Sequence, residues 1–321
     1  MKRRSNVRYS STKTLRTVNI GNLGRKYQGK VRDFYFIPNK RIIITTDRIS
    51  AFDRVLGYIP YKGQVLNQLS AFWFAKTSDI VDNHLIDVIH PNVSVVHDAH
   101  PYPVEMIVRG FITGVTKTSI WYAYERGERL VYGIQFSEGL RKNEKLPRPI
   151  ITPTTKAEKG QHDEKLTREE IIKRGLVPSD LYKKMERISL ALFTKGQQIC
   201  AAQGLILVDT KYEFADFGGK LMLIDEIHTP DSSRFWRKDS YRKRFAEGKE
   251  PENFDKEFFR VWYTKQGYRG DGRPPKMSFD LQRETSKRYI KIYELITGKK
   301  LKMEKYPLES SIKYAIKKYL T

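Results

Sequence analysis

The chain has 321 residues, 39% of them hydrophobic and 12% aromatic, a composition typical of a globular protein with a substantial buried core. No apolar stretch approaches the roughly 20 residues that a membrane-spanning helix needs, so the sequence predicts no membrane protein. A single cysteine, Cys200, excludes a disulfide framework within the chain and favours a reducing, cytoplasmic setting, with the thiol buried near a helix end.

The net charge of +23 is compatible with nucleic acid, an acidic membrane surface or small anionic substrates as partners. Lys and Arg are spread through the chain, with higher density in 1–32 and 287–318, whereas nucleic-acid modules concentrate them on one stripe or helix. Nucleic acid is therefore a disfavoured partner. The basic start, before the first acid at Asp33, superficially resembles a transit peptide but has few apolar residues, so we expect an irregular segment.

The front of the chain alternates strand and helix signals. Residues 29–60 predict short strands, with a hairpin in which "PNK" separates "VRDFYFI" from "RIIITTD". Residues 84–112 again predict strands, followed by a helix that ends at Gly127. Between them, 62–79 predicts a helix from the spacing of four apolar residues: Val65, Leu69, Phe72 and Ala75.

The second half begins with a Pro-rich segment without a regular period. Residues 145–164 predict a long loop, of the length that often carries function. Helices follow in "TREEIIKRGL" and in 178–203, and then a hairpin with strands 205–214 and 220–228 around a Gly-containing turn at 216–219.

The last third predicts helices, interrupted by a Gly/Pro loop at 267–275. Within 299–321, four apolar residues form a helical stripe that we expect to pack on the protein's own surface: Leu308, Ile312, Ile316 and Leu320. The predicted fold class is α+β, with antiparallel sheets and flanking helices, and with a smaller β-rich domain at 1–103 and a larger domain at 104–321.

Charged residues concentrate on the predicted hairpin. Asp209, Lys211 and Glu213 alternate along one strand, so their side chains share a face, and the turn brings Asp225 back beside them. Like charges so close repel one another unless a cation lies among them, and Mg²⁺ takes one or two carboxylates plus phosphate oxygens. A solvated ladder of salt bridges across the hairpin is the equal alternative.

Several short motifs are decoys. "GRKYQGKV" nearly matches a phosphate-binding loop, but Val31 replaces the required Ser or Thr and no apolar strand precedes it. "DFG" at 216–218 lacks the kinase catalytic loop upstream. The histidines show no zinc spacing: we expect His162 and His228 to be able to orient a substrate and the others to lie on the surface, namely His84, His90, His97 and His100.

A collinear series of segments resembles one family. "GKVRD", "TTDRISAFD", "KGQVLNQLSAFWF", "EMIVRGFITG", "PIITPTTKAEKGQHDE", "LILVDTKYEF" and "IDEIHTPDSSRFW", from about Gly21 to Gly298, resemble phosphoribosylaminoimidazole-succinocarboxamide (SAICAR) synthetases. The resemblance implies an ATP-grasp-related fold. It also implies an ATP- and Mg²⁺-dependent ligase of purine synthesis that joins L-aspartate to the carboxylate of an aminoimidazole ribonucleotide (CAIR).

The resemblance also implies roles for the ATP side. Domain 1–103 would hold ATP phosphates, and 104–321 would hold the substrates. The expected ATP-binding residues are Gly29, Lys30, Arg32, Glu105 and Met106, the last two beside adenine through their backbone. Glu213 and Asp225 are the expected Mg²⁺ ligands. Lys211, Lys156 and Asp163 are the expected catalytic residues.

On the substrate side, the resemblance implies that arginines grip the phosphate and carboxylate of CAIR, because the planar guanidinium matches these anions bidentately. The expected residues are Asp53, Arg109, Thr116, Ser119, Ser232, Ser233, Arg234 and Arg260. A Val115 stands where many members carry a Ser, so Thr116, Thr118 or Ser119 would supply the hydroxyl. Ala215 replaces the usual Gly after "YEF". We expect a monomer or a homodimer.

Overall fold

Antiparallel strands and flanking helices make up residues 13–21, 23–156 and 163–321, the part of the chain that the computed structural model describes. The strands are β1 (Lys26–Gln28), β2 (Arg32–Ile37), β3 (Lys40–Thr45), β4 (Arg48–Ala51), β5 (Arg54–Tyr58), β6 (Leu85–His90), β7 (Val93–His97), β8 (His100–Ile112), β9 (Leu130–Val131), β10 (Ile134–Gln135), β11 (Glu144–Ile151), β12 (Thr154–Thr155), β13 (Leu205–Phe217), β14 (Lys220–Ile224) and β15 (Ser233–Arg237). The helices are α1 (Lys62–Lys76), α2 (Ile120–Tyr124), α3 (Arg168–Lys173), α4 (Ser179–Ala202), α5 (Lys238–Ala246), α6 (Glu257–Lys265), α7 (Phe279–Thr297) and α8 (Glu309–Leu320).

Two larger sheets organise these strands. The first has the order β1-β2-β3-β7-β6, and the second has the order β11-β8-β13-β14, with β12 beside β8 and β15 beside β13. Every pairing between these named strands is antiparallel, and α4 packs against β13 and β8 of the second sheet. The predicted fold class, α+β with antiparallel sheets and flanking helices, is confirmed. Strand β8 runs across the proposed boundary between 1–103 and 104–321, and that division stays a prediction.

The two predicted hairpins form, although the second differs in its limits. The "PNK" turn joins β2 to β3, and Gly218 and Gly219, with φ of 61° and 78°, join β13 to β14. Strand β14 ends at Ile224 rather than at residue 228. Asp225 adopts a φ of 65°, a left-handed conformation that a strand cannot continue, so the chain turns away there.

The Pro-rich segment is not the loop that its composition predicts. Its first part forms β11 and β12, which both pair with β8. The pairing of β11 is interrupted between Lys145 and Ile150, where Pro147 and Pro149 lie. A proline cannot donate to a ladder and is tolerated on an edge strand, which is the position of β11 in the sheet. Residues 157–162 lie outside the described part of the chain.

The main core lies between the second sheet and the helices α1, α4 and α7. Cys200 is fully buried there, as predicted. Helix α1 forms where predicted, but its buried stripe continues through Trp73 and Phe74 instead of Ala75, which is exposed. In the described residues, no helix combines the length and the hydropathy that crossing a membrane requires.

Helix α8 completes the core of the first sheet. Leu308, Ile312 and Ile316 are buried in a cluster with residues of β2, β3 and β7, whereas Leu320 is 46% exposed. The expectation that this stripe packs on the protein's own surface is thus confirmed for its first three positions. The Tyr306 hydroxyl reinforces the contact by donating to Asp47 over 2.5 Å.

We expect Ile312→Ala to lower the free energy of unfolding by about 2–5 kcal/mol, because it removes a fully buried side chain and leaves a cavity. Tyr314→Ala, on the same helix at a residue 70% exposed, should change it by less than about 0.5 kcal/mol. Urea unfolding of both variants measures the difference. Equal, small effects would mean that α8 does not contribute to the core.

Candidate functional site

Strand β13 carries the site, because alternate residues along a strand face the same side. Asp209 lies opposite Arg109 of β8 and Arg234 of β15, and Glu213 lies opposite Glu105 of β8. Two polar clusters therefore form at neighbouring positions along one strand. We call them the arginine cluster, built around Asp209, and the carboxylate cluster, built around Lys211.

The carboxylate cluster consists of Glu105, Glu213 and Asp225 around the ammonium of Lys211. Lys211 Nζ donates to Glu105 Oε1 over 2.9 Å, to Asp225 Oδ2 over 3.3 Å, and to Glu213. Lys156 brings a second ammonium to Glu213. The alternation read from the sequence thus does place these groups on one face, together with Glu105 from the neighbouring strand.

The pKa values of this cluster are strongly perturbed. Burial opposes the charge on Asp225, but Arg32 and Lys211 hold the pKa of this carboxyl far below its usual range. Burial also opposes the charge on Lys211, but the three carboxylates hold its pKa well above normal. Burial raises the pKa of Glu105 to about 7, with Lys211 opposing the rise and Glu213 adding to it. Negative charge is thus crowded around one ammonium.

These carboxylates fit a divalent cation that brings further ligands of its own. No set of three or more His, Cys, Asp or Glu side chains in the described ranges is arranged to hold a metal ion. Glu213 and Asp225, however, both reach the single position of Lys211 Nζ, so they share a location suited to positive charge. Mg²⁺ commonly uses one or two carboxylates and completes its shell with phosphate oxygens and water.

Arg32 explains why two acids follow each other at the end of β14. Its guanidinium donates to Asp225 over 2.7 Å and to Glu226 over 2.6 Å, so one planar fork orders both carboxylates. The left-handed backbone at Asp225 is what turns the two side chains toward β2. The end of β14 therefore forms a charged wall, made of Asp225, Glu226 and Arg32.

A cleft of about 440 Å³ opens beside this wall. Its polar lining includes Gly29, Lys30, Arg32, Lys156, Lys211, Glu213, Asp225, Glu226, Asp231, Ser232 and Lys256. Lys30 lines the cleft and donates to Asp53 over 2.6 Å, with both side chains partly exposed. The cleft is large enough for a small polar ligand and bears both signs of charge.

The arginine cluster lies next along β13. Arg234 NH1 donates to Asp209 over 2.6 Å, and Arg109 NH1 lies 3.5 Å from the same carboxylate. Glu257 accepts from Arg234 and from Arg260, each over 3.2 Å. Arg109 and Arg234 are almost fully buried, so each guanidinium is held in one orientation by its carboxylate partners.

Hydroxyl groups surround the arginine cluster. Thr116 and Ser119 share a hydrogen bond of 2.8 Å, and a Cβ at Gly114 would lie 2.8 Å from the Arg234 guanidinium, so the backbone passes close to it. Ser233 Oγ donates to Thr210 over 2.7 Å. Ser119 thus offers a hydroxyl near Arg234 although Val115 follows Gly114.

Most of the predicted residues lie in one of the two clusters or line the cleft. Lys156, Lys211, Glu213 and Asp225 meet in the carboxylate cluster; the Met106 side chain instead lies in the main core. Asp163 lies close enough for its charge to raise the pKa of Glu105 further. The assigned roles remain predictions, and His162 lies outside the described residues.

The histidines differ most from expectation. His84 and His90 are buried, not at the surface. His228 is fully buried and cannot touch a substrate: its Nε2 lies 2.6 Å from the Tyr212 hydroxyl, and its ring packs edge-on against Trp73. Gly196 permits this, because a Cβ there would lie 2.5 Å from the imidazole. The polar neighbours of His228 in the sequence gave no sign of its burial.

We expect His228 to make the protein less stable in mild acid. Burial lowers the pKa of His228 to about 3, from 6.5, so below pH 6.5 the unfolded chain binds a proton that the folded chain refuses. The free energy of unfolding should therefore fall by up to about 1.4 kcal/mol per pH unit as the pH drops from 6.5 to 4. In His228→Gln this slope should be smaller by that amount. Unfolding curves at several pH values measure it, and identical slopes would contradict the assignment.

Several residues of the site were missed. Glu226, Asp231, Lys256 and Glu257 all take part in its ion pairs but were given no role. Glu226 could have been found, because it directly follows Asp225 at the end of an apolar run. Lys256 and Glu257 lie at the start of α6, directly after a loop. No local sequence pattern there indicates a functional site.

Comparisons with known proteins point to one family. The family model for SAICAR synthetase matches residues 25–275. The phosphoribosylaminoimidazole-succinocarboxamide synthase of Legionella pneumophila (strain Lens) is 47% identical over 287 residues, which cover 88% of this chain and 91% of that protein. The SAICAR synthase of Saccharomyces cerevisiae, solved with SAICAR, superposes with a TM-score of 0.76 at 32% identity, covering 90% of this chain and 99% of that one. A type-2 SAICAR synthetase solved with ADP has a TM-score of 0.66 at 27% identity, covering 87% of this chain and 100% of that one.

Proposed function

The chain belongs to the SAICAR synthetase family, and from this membership we infer that it is an ATP-dependent ligase of purine synthesis. The reaction joins L-aspartate to the carboxylate of CAIR and yields SAICAR, ADP and phosphate. ATP and Mg²⁺ are the cofactors of this reaction. The observation that supports the assignment most is the carboxylate cluster on a cleft that Lys30 and Arg32 also line.

Amide formation needs an activated carboxylate, because a carboxylate oxygen is a poor leaving group for attack by an amine. ATP supplies the activation by phosphoryl transfer, which we propose to give an acyl phosphate that the aspartate amine attacks. The protein's contribution is then to position the reactants and to balance phosphate charge. A cleft lined by a carboxylate cluster and by several cations suits that task.

For the ATP side, we propose that Glu213 and Asp225 are the Mg²⁺ ligands. Lys211 would then exchange its carboxylate partners for phosphate oxygens. Lys30 and Arg32, with the backbone of Gly29, would hold the phosphates. The backbone of Glu105 and Met106 would lie beside adenine. The Glu105 side chain, with a pKa of about 7, adds a carboxyl group next to Lys211.

For the nucleotide side, we propose that Arg109 and Arg234 bind the phosphate and carboxylate of CAIR, with Arg260 nearby. The support is that Asp209 and Glu257 pair with these arginines and thereby fix the orientation of each guanidinium. Further proposed contacts come from Asp53, Thr116, Ser119, Ser232 and Ser233. Lys156 and Asp163 would close over the reacting carboxylate.

We propose a cytoplasmic enzyme that acts on small molecules, without nucleic acid as a partner, as a monomer or a homodimer. The dispersed charge of +23 supports small anionic ligands over a polyanion. A binding module for polyanions would show salt-sensitive affinity and no aspartate-dependent ADP release.

A coupled assay tests the function. Purified protein is mixed with CAIR, L-aspartate and Mg·ATP, and ADP release is followed while each component is omitted in turn. We expect release to require all of them. L-glutamate and L-asparagine in place of L-aspartate test the choice of amino acid. Turnover that is independent of CAIR or L-aspartate would contradict the proposal.

A further inference from the structure

One buried lysine in the cleft has no role in the assignments above. Lys256 precedes α6 and lines the cleft next to Asp231 and Ser232, and its side chain is only 10% exposed. Its Nζ lies 3.3 Å from Asp231 Oδ2. An ammonium that is nearly removed from solvent but borders a cleft requires an explanation, because burying a charge is costly unless the charge is well paired.

Asp231 pairs with Lys256 but cannot neutralise it fully, because the same carboxylate also holds a second ammonium. Lys62 Nζ, fully buried, donates to Asp231 Oδ2 over 2.8 Å, and the Tyr289 hydroxyl donates to Oδ1 over 2.6 Å. Two ammonium groups thus share one oxygen, and Lys256 is the more distant of the two. One carboxylate thus balances only one of these two positive charges.

The surroundings of Lys256 leave positive charge in excess at this end of the cleft. The charges of Arg260 and Lys62 disfavour the Lys256 ammonium, and Glu226, whose charge favours it, is already paired with Arg32. Burial, only partly offset by Asp231, lowers the pKa of Lys256 to about 8. The cleft lining therefore contains two different charge environments: carboxylates crowd around Lys211, whereas two ammonium groups share Asp231.

We propose that Lys256 binds a carboxylate of the L-aspartate substrate, with Asp231, itself held by Lys62, as the positioning residue that keeps its ammonium at the cleft wall. The inference rests on the proposed function and extends it to the amino-acid substrate. The other anions already have candidate partners: Lys30, Arg32 and Lys211 for the triphosphate, and Arg109 and Arg234 for the nucleotide. A single ammonium is a point charge suited to one carboxylate, and Ser232 lines the same cleft.

The test is the KM for each substrate in Lys256→Met, which keeps an unbranched side chain of nearly the same length and removes its charge. Losing one hydrogen bond between charged groups should raise the KM for L-aspartate by about 10- to 100-fold. The KM values for CAIR and ATP should stay within about twofold of wild type. The inhibition constant of succinate, a dicarboxylate without the amine, should rise in parallel with the KM for L-aspartate.

Two further variants make the result unambiguous. Lys265→Met removes an exposed lysine from the far end of α6 and should leave all three KM values unchanged. Lys256→Arg keeps the charge but displaces it, so it should raise the KM for L-aspartate by less than Lys256→Met does. It also tests the proposal if Lys256→Met fails to fold. An unchanged KM for L-aspartate, or a change confined to CAIR or ATP, would overturn the role of Lys256 alone. A wild-type protein without aspartate-dependent turnover would overturn the proposed function as well.

Discussion

Replacing Asp225 with Asn, or Glu213 with Gln, is expected to lower kcat by about 10²–10³-fold, the range seen when one preorganised electrostatic group is removed from an active site. Both amides keep the shape of the side chain but not its charge. Lys211 would then face fewer carboxylates, and the position that Glu213 and Asp225 share would no longer attract a divalent cation. The Mg²⁺ concentration that gives half-maximal activity should rise in both variants.

The measurement is ADP release against Mg²⁺ concentration, with circular dichroism to confirm folding. Asp216→Asn is the matched control, since Asp216 lies farther along the same strand, opposite His100, and outside the carboxylate cluster. Its kcat and Mg²⁺ dependence should equal those of the wild type. Full activity in both the Asp225 and the Glu213 variants would reject the metal site.

The second large effect is expected from Arg234→Gln, which removes a buried guanidinium from between two carboxylates. Truncating one partner of a buried charge pair costs roughly 2–5 kcal/mol, equivalent to about 30-fold or more in kcat/KM for CAIR. The loss should appear mainly in the KM for CAIR, because the proposed role is to bind this substrate. Arg234→Lys should lose less of kcat/KM for CAIR than Arg234→Gln, because it keeps the positive charge. It should still lose some, because an ammonium lacks the planar fork that contacts Asp209 and Glu257 together.

Steady-state kinetics with CAIR varied and the other substrates saturating measure this effect. Arg237→Gln is the control on the same strand, because Arg237 is partly exposed and pairs with Glu252 outside the cluster. Its kinetics should match those of the wild type. A fall in kcat with no change in the KM for CAIR would place Arg234 in another role.

The sequence predicted which residues share a face more reliably than it predicted their partners. The period of two along a strand was sufficient to group Lys211, Glu213 and Asp225, because the turn at Gly218 fixes the hairpin register. The ion pair between Lys30 and Asp53 was not predicted. The sequence analysis assigned Lys30 to ATP and Asp53 to CAIR. Such pairs depend on how separate strands pack, and no local pattern encodes that.

The errors have identifiable physical causes. Strand β11 was predicted as a loop because its prolines suggest a break in a sheet. It forms a strand nevertheless, because it lies at the edge of the sheet, where prolines are tolerated. His228 was placed near substrate because its sequence neighbours are polar, whereas its burial depends on Gly196 in a distant helix. Lys256 was overlooked because a single lysine before a helix carries no pattern, and only its packing against Asp231 distinguishes it.

The packing of α8 on the first sheet has a consequence for how the protein is made. Asp47 and its partner Tyr306 are separated by 259 positions, and Ile312 and Ile316 fill the core beside β2 and β3. A ribosome therefore releases the strands of this sheet long before the residues that cover them. We expect the nascent chain to keep an apolar surface exposed through most of translation. A chaperone should therefore bind this sheet before α8 can cover it.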